Sequence, residues 1–197
     1  MSARQKRGAG ADEMRRIMII RHAEKHHNGS PDRGVSIYGV HTKHELTVRG
    51  WQRAGALVRY FAPVEGLHSP SAVSTPKTIF ASAATPDSPS RRALRTVEPL
   101  AHALGVSVDD RFPEGHESAI AAAALAAPSP VLISWHHSHI VGLVRAIAGS
   151  DLDVPQVWPE ERFDVVWVLD QDDDPAGPWR FFQVPQLLLG YDRAEPI

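Results

Sequence analysis

Short apolar runs alternate with amphipathic stretches along the chain, and this alternation predicts a sheet covered by helices. The run 16–21 (RIMIIR) stops at charged residues, which is typical of a buried parallel strand that ends at a loop. The runs 78–83 (TIFASA) and 131–135 (VLISW) have the same character. Polar residues follow each run, so the side chains just beyond them are expected at the carboxyl ends of strands.

Helical periodicity fills the intervals between these strands. The stretch 48–61 (VRGWQRAGALVRYF) follows Thr47, a residue type favoured at helix N-termini, and its apolar positions fall near one helical face. Helices are also predicted over 91–104, 118–127 and 139–148. Alternating strands and helices favour an α/β sheet with helices on both faces.

The C-terminal pattern completes the fold prediction. The segments 163–171 (FDVVWVLDQ) and 179–189 (WRFFQVPQLLL) flank a turn-rich DDDPAGP, which predicts an antiparallel hairpin at the sheet edge. Residues 106–110 are a candidate for a further short strand. We therefore expect a three-layer α/β/α sandwich with a mostly parallel sheet and an antiparallel C-terminal edge.

Length and the N-terminal segment define the expected domain. A chain of 197 residues with 43% hydrophobic residues suits one domain, which we place over 16–197. Residues 1–15 are basic and are predicted to be a disordered leader, because the apolar run 17–20 is too short for a signal peptide or a membrane span. The polar, histidine-rich stretch 24–45 is predicted to be a long functional loop.

Charge and cysteine content exclude several classes of function. A formal net charge of −2 gives no global positive field, so neither nucleic acid nor an anionic membrane is expected as a partner. The chain has no cysteine, which removes disulfides, thiolate metal sites and thiol nucleophiles and leaves the compartment open, with the cytoplasm as the default. The candidate chemistry therefore lies with histidine, serine and the acidic residues.

Cationic and imidazole side chains follow the three apolar strands. Arg21 and His22 follow the first strand, Arg91 and Arg92 the second, and His136 the third. The ligand crevice of an open α/β sheet lies outside the carboxyl ends of its strands. Two guanidinium groups with two imidazoles suit a phosphate pocket, because arginine binds phosphate oxygens bidentately and imidazole can attack or donate.

The segment HHSH (136–139) could also supply zinc ligands. No obvious carboxylate partner accompanies it, and the arginines expected nearby would repel a cation. No metal and no organic cofactor is therefore expected.

Four segments of the chain together resemble a known family. RHAEK (21–25) after an apolar strand resembles the RHG motif of the histidine phosphatase superfamily, with Ala23 in place of the usual glycine. LTVRGWQRAGAL (46–57) resembles its LTxxGxxQAxxLA helix, RALRT (92–96) its RAxQT segment, and VLISWHHSHI (131–140) its VLIVxH strand end. The four segments come in the family's order. The loop ASAATPDSPSRR departs from the family's shorter SPxxR.

This resemblance implies roles for individual residues. His22 would be the nucleophile, and Arg21 a ligand of the phosphoryl group. Arg92 is preferred to Arg91 as the second arginine because it keeps the family's spacing to Thr96.

The same resemblance supplies the remaining site residues. His136 would be the second imidazole, and Asn28 lies at the offset from Arg21 where phosphoglycerate mutases carry an asparagine that contacts the phosphoryl group. A general acid is expected within RFPEGHESAI (111–120), where Glu117 is favoured over Glu114.

The function implied is metal-independent hydrolysis of phosphate monoesters through a phosphohistidine. Small bacterial phosphohistidine phosphatases of the superfamily have a similarly brief segment before the second histidine, so the expected partner is a phosphorylated small molecule or a phosphoprotein. Two alternatives stay open. One is a phosphoglycerate mutase, for whose insertions this chain looks too short, and the other is a catalytically weak module that binds a phosphorylated ligand.

Overall fold

A mixed sheet forms the centre of the protein. The structure is a computed structural model that describes residues 14–27, 29–64, 72–172, 174 and 177–197. Six strands lie within these residues: β1 (Arg15–Arg21), β2 (Thr78–Ala83), β3 (Val108–Pro113), β4 (Val131–Trp135), β5 (Val165–Gln171) and β6 (Trp179–Pro185). Their order across the sheet is β3-β2-β4-β1-β5-β6. The first four in this order are parallel, and β5 and β6 are antiparallel.

Helices cover both faces of this sheet. They are α1 (Val48–Phe61), α2 (Arg92–Leu104), α3 (Glu117–Ala126) and α4 (His137–Ala148). Helices α1 and α2 pack on one face, and α3 and α4 on the other. The predicted α/β/α sandwich with an antiparallel C-terminal edge is confirmed. No helix among the described residues is long and apolar enough to cross a membrane.

Strand β1 shows why the central strands are apolar at every position. The side chains of Ile17 and Ile19 enter the core beneath α3 and α4, whereas those of Met18 and Ile20 enter the core beneath α1 and α2. All four are fully buried. A strand covered on both faces needs apolar residues throughout, so its sequence lacks the alternation of a half-exposed strand.

Parallel pairing brings the ends of β1 and β4 together. Arg21 lies opposite Trp135 in the register, and the backbone N–H of His22 donates to the carbonyl of Trp135 at 3.0 Å. Helix α1 approaches the same edge, where its N-cap Thr47 accepts a hydrogen bond from the N–H of Gly50 at 3.2 Å. A Cβ at Gly50 would lie 2.5 Å from the carbonyl oxygen of Glu24, so only glycine permits this close approach.

Some boundaries differ from the sequence predictions. Strand β3 extends to Pro113 because its parallel pairing with β2 continues as far as Ala83. Helix α4 begins at His137, two residues earlier than predicted. The predicted leader lies outside the described residues except for Met14 and Arg15, and Arg15 already belongs to β1. The long loop between β1 and α1 contains two isolated bridges, Lys25 with Leu46 and Val35 with His41.

Candidate active site

His22 lies buried just beyond β1, with 2% of its surface exposed. Its Nδ1 is 2.8 Å from the carbonyl oxygen of Ala23. A carbonyl oxygen can only accept, so this contact assigns the ring hydrogen to Nδ1 and leaves the lone pair on Nε2. In the neutral ring, Nε2 is therefore unprotonated and could act as a nucleophile.

The surroundings of His22 keep its ring neutral. Burial, first, lowers the pKa of His22 well below its ordinary value, and the charges of Arg21 and Arg92, together with His136, lower it further. An unprotonated imidazole is the form that attacks phosphorus.

Arg21 is a buried cation whose donors are only partly used. Its Nη1 donates to the carbonyl of Arg162 at 3.2 Å and to the carbonyl of Glu160. Its Nε and Nη2 are buried and find no partner among the described residues. Burial, with a contribution from Arg92, lowers the pKa of Arg21 to about 9, although the carboxylate of Glu160 opposes the shift. An anion would satisfy both free donors.

The loop before β5 holds Arg21 in place. The carbonyl of Arg162 also accepts from Nε1 of Trp158 at 2.9 Å. The Arg162 guanidinium donates to Asp164 at 2.7 Å and to the carbonyl of Glu195 at 2.8 Å. The last residues of the chain thus brace the carbonyl that orients Arg21. The sequence did not predict this support, because every residue type supplies the same backbone carbonyl.

Phe163 belongs to the same loop and contacts both motif residues. The guanidinium carbon of Arg21 lies 3.8 Å from the centre of its ring. The ring centres of His22 and Phe163 are 6.2 Å apart. An arginine stacked on an aromatic face gains electrostatic attraction, so Phe163 fixes the plane of Arg21 beside His22. No motif pointed to Phe163.

Arg92 enters the site from the first turn of α2. Its Nη1 donates to the carbonyl of Lys43 at 2.7 Å, and its Nε is buried without a partner among the described residues. Burial lowers the pKa of Arg92, and the carboxylates of Glu114 and Glu45 oppose this. Arg91, by contrast, is exposed at the N-cap position. The structure therefore brings Arg92, and not Arg91, to His22.

Thr96 ties α2 to the motif loop. Its Oγ1 accepts from the backbone N–H of Ala23 at 2.8 Å and donates to the carbonyl of Arg92 at 2.7 Å. The buried hydroxyl of Thr96 thus connects the segment after β1 to α2, which carries Arg92. The spacing between Arg92 and Thr96, which the sequence resemblance relied on, has a physical basis in this contact.

His136 lies at the N-cap of α4 and faces His22. Their ring centres are 5.5 Å apart, with the planes at 73°. Burial lowers the pKa of His136 to about 4, although Glu114 opposes the shift. Burial and the nearby Arg21 likewise lower the pKa of His137, the next residue, to about 4.

The two candidate acids lie in different surroundings. Glu117 Oε1 accepts from the N–H of Gly115 at 3.0 Å and from the indole of Trp135 at 3.1 Å, and lies 3.1 Å from Nδ1 of His139. Glu114 Oε2 lies 3.6 Å from Nδ1 of His136. The expectation that Glu117 is the acid is not favoured by this geometry, because its carboxylate is already engaged by the turn before α3, by β4 and by α4.

Opposing influences act on Glu114. Burial alone would raise the pKa of its carboxyl, but a hydrogen bond with Ser88 and electrostatic interactions with His136, His139 and Arg92 hold it below its ordinary value. The same carboxylate interacts with two of the predicted phosphate ligands, Arg92 and His136. Of the two candidate acids, Glu114 is therefore the one that interacts with these predicted ligands.

Two further sequence predictions concern Asn28 and metal binding. Asn28 lies outside the described residues, so its predicted contact with the phosphoryl group stays a prediction. Among the residues that the structure does describe, no group of three or more histidine and acidic side chains is arranged to hold a metal ion.

Solved structures share this fold. One, titled "Mycobacterial hydrolase 1", is 17% identical and has a TM-score of 0.50 over 86% of this chain and 97% of its own. The native structure of mycobacterial glucosyl-3-phosphoglycerate phosphatase is 16% identical and has a TM-score of 0.50 over the same shares of the two chains. Neither a family model nor a curated protein matches the sequence. At these identities the likeness shows the fold, which is the fold that the four sequence segments imply.

Proposed function

We propose that the chain is a phosphomonoester hydrolase that forms a phosphohistidine on His22. The observation that carries this is a buried neutral imidazole, its Nδ1 held by the Ala23 carbonyl, that lies between two guanidinium groups with unpaired buried N–H donors. Free donors around a nucleophile suit an oxyanion that arrives with the substrate. A hydrolase and a phosphatase among proteins of the same fold support the proposal.

In the first step, Nε2 of His22 attacks phosphorus in line with the departing ester oxygen. The P–N bond forms as the P–O bond breaks. Arg21, Arg92 and His136 hold the other phosphoryl oxygens, where negative charge spreads in the transition state. In the second step, water attacks phosphorus, the P–N bond breaks and inorganic phosphate leaves. Two moderate barriers replace one high barrier.

Glu114 is the proposed general acid. Its carboxylic acid gives a proton to the leaving oxygen in the first step, and its carboxylate takes one from water in the second. The groups that lower the pKa of Glu114 include Arg92, whose charge a phosphate dianion would neutralise. Substrate binding therefore raises the pKa of Glu114 toward the protonated form that the first step requires.

Trapping the intermediate tests the nucleophile. Wild-type protein mixed with an aryl phosphate labelled on phosphorus, without added metal and with EDTA present, should release phosphate and carry label after denaturation in base. A phosphoramidate bond survives base and is lost in acid. His22→Ala should show neither label nor turnover while keeping its circular dichroism, because the side chain is no core anchor. Turnover near the wild-type rate in His22→Ala would refute the mechanism.

A leaving-group comparison tests the acid. Glu114→Gln should slow an alkyl phosphate by roughly 10²-fold or more, yet slow a nitrophenyl phosphate much less, because nitrophenolate departs without a proton. Glu117→Gln is the matched control and should lower thermal stability without this selectivity. If only Glu117→Gln discriminates between the two leaving groups, the acid is Glu117.

A phospho-ligand-binding module is the second candidate, and the lowered pKa of Glu114 favours it, because a carboxyl group with a lowered pKa is a poor proton donor. Tight binding of inorganic phosphate with no turnover of either ester would identify such a module. A labelled protein that resists water but passes its phosphoryl group to an added alcohol would indicate a mutase.

A further inference from the structure

A second cavity opens in the loop between β1 and α1. We call it the loop pocket. It has a volume of about 400 Å³ and is lined by His26, Arg33, Gly34, His41, Thr42 and Lys43. We propose that the loop pocket binds a second anionic group, a carboxylate or a second phosphate, on the substrate whose ester is cleaved at His22. This inference rests on the proposed function and narrows its substrate class to phosphate monoesters with two anionic groups.

The described residues that line the loop pocket include cations and no counter-ion. None of its lining side chains is acidic. Within the described part of the chain, the side chains of Arg33 and Lys43 take part in no hydrogen bond or ion pair. Glu45, an acidic residue two positions after Lys43, is held by Arg95 at 3.3 Å. A cationic cavity without an internal counter-ion attracts an anion from solution.

Backbone hydrogen bonds give the loop pocket a fixed floor. The N–H of Thr42 donates to the carbonyl of Gly34 at 2.9 Å, and that of Val35 to the carbonyl of Leu46 at 2.8 Å. The indole of Trp51 on α1 donates to the carbonyl of Val35 at 2.8 Å. A Cβ at Gly34 would lie 2.2 Å from the carbonyl oxygen of Thr42, so the loop can close in this way only with glycine. The cations thus lie on an ordered base, which reduces the entropic cost of binding.

Lys43 joins the loop pocket to the phosphate pocket. Its side chain lines the cavity, while its carbonyl accepts from Nη1 of Arg92 at 2.7 Å. The buried Nε of that arginine stays free for the phosphoryl group. The loop pocket and the proposed phosphoryl site are therefore adjacent at Lys43. A substrate with a short link between its two anionic groups can occupy both.

His26 also lines the loop pocket, with one ring nitrogen held by the loop backbone. Its Nδ1 lies 2.6 Å from the carbonyl oxygen of Asp32, which assigns a hydrogen to Nδ1. Arg33 and Lys43 supply the permanent charge, so they are the residues to test.

Matched pairs of esters test the proposal. The substrates are ω-carboxyalkyl phosphates with two- and three-carbon links, each compared with the alkyl phosphate of the same length, and released phosphate is measured. The wild type should prefer one of the carboxylated esters by roughly tenfold in kcat/KM, mainly through KM, as one charge-assisted contact gives. Arg33→Gln and Lys43→Gln should each reduce this preference, and the double variant should abolish it.

Arg59→Gln is the control, because Arg59 is an exposed arginine in the last turn of α1 and its loss changes the net charge equally. Its preference should equal that of the wild type. Hydrolysis of all esters without a preference, or a preference that survives the double variant, would refute the proposal that the loop pocket binds a second anionic group. A preference for a carboxylated phosphate that Arg59→Gln loses as well would show general charge attraction only, and would also overturn it.

Calorimetry with the corresponding non-hydrolysable phosphonates separates this proposal from the proposed function. If no ester is hydrolysed, the proposed function fails. A carboxyalkyl phosphonate that binds more tightly than its alkyl counterpart, through Arg33 and Lys43, would still establish the loop pocket. Equal binding of the two phosphonates would reject it.

Discussion

Two buried arginines, Arg21 and Arg53, lie near the same edge of the sheet in opposite electrostatic surroundings. Each is at most 2% exposed. Arg53, on α1, donates to Glu24 at 2.8 Å and to Asp192 at 2.7 Å, and also to Gln186 at 2.8 Å. Burial would lower the pKa of Arg53, but hydrogen bonds to these two carboxylates raise it above its ordinary value. Arg21 has carbonyl partners only, and its pKa is lowered.

The difference shows that the hydrogen-bond partners of a buried arginine indicate its role. A guanidinium with two carboxylates is complete without a ligand and joins α1 to residues near the end of the chain. A guanidinium that keeps free donors and lacks a hydrogen-bonded carboxylate costs folding free energy until an anion arrives. We therefore propose that Arg53 stabilises the fold and that Arg21 binds the phosphoryl group of the substrate. Three predictions test this difference.

The largest effect is expected for Arg53→Met. It should lower the free energy of unfolding by about 3–5 kcal/mol, because Glu24 and Asp192 would stay buried without their main partner. Urea denaturation followed by tryptophan fluorescence measures this loss. Arg59→Met, an exposed arginine on the same helix, should change stability little. If the two variants are equally stable, the Arg53 cluster does not hold the fold together.

Arg21→Gln should behave in the opposite way. It should lower kcat/KM for nitrophenyl phosphate by about 10²–10³-fold, as the loss of a preorganised donor does. Its free energy of unfolding should equal or exceed that of the wild type, because an unpaired buried charge is removed. Vanadate should raise the melting temperature of the wild type and not of the variant. A variant that is unstable yet fully active would reverse the assignment of the two arginines.

The smallest effect concerns pH. The pKa values of His136 and His137 are lowered to about 4, and that of His22 is lowered as well, so the unfolded chain binds more protons than the folded one between their ordinary pKa and these values. Stability should thus fall by on the order of 1–2 kcal/mol for a buried histidine as pH drops from 7 to 5. The Arg53 cluster should contribute nothing there, because the pKa of Arg53 is raised and that of Asp192 is lowered.

Urea titrations at several pH values check this slope. His136→Asn should reduce the slope, and Arg53→Met should leave it unchanged. If Arg53→Met changes the slope and His136→Asn does not, the proton-linked stability comes from Arg53 and its partners, and the prediction is wrong.

Hydrophobic pattern was sufficient for most of the fold. The bounds predicted for β2, β4 and α1 match the structure residue for residue, because the two strands are short apolar runs and the helix has a clear period. The strand ends that carry His22 and His136 could be placed because parallel strands end at one edge of the sheet.

The choice between Glu114 and Glu117 could not be predicted. The two residues are three positions apart, and the turn at Gly115, whose φ is 87°, separates their directions. The indole of Trp135 then engages Glu117, a contact that only the packing of α3 on β4 creates. The support of Arg21 by carbonyls was equally hidden, because every residue type supplies the same carbonyl.

The position of β1 in the sheet has a consequence for the timing of synthesis. The strand that leads to His22 precedes the other five described strands in the sequence, yet its neighbours in the sheet, β4 and β5, begin only at Val131 and Val165. The Arg162 guanidinium that braces Arg21 further requires the carbonyl of Glu195. A ribosome must therefore translate residues 131–171 before β1 has both of its neighbours, and a nascent chain that stalls before residue 165 would leave one edge of β1 open to chaperones.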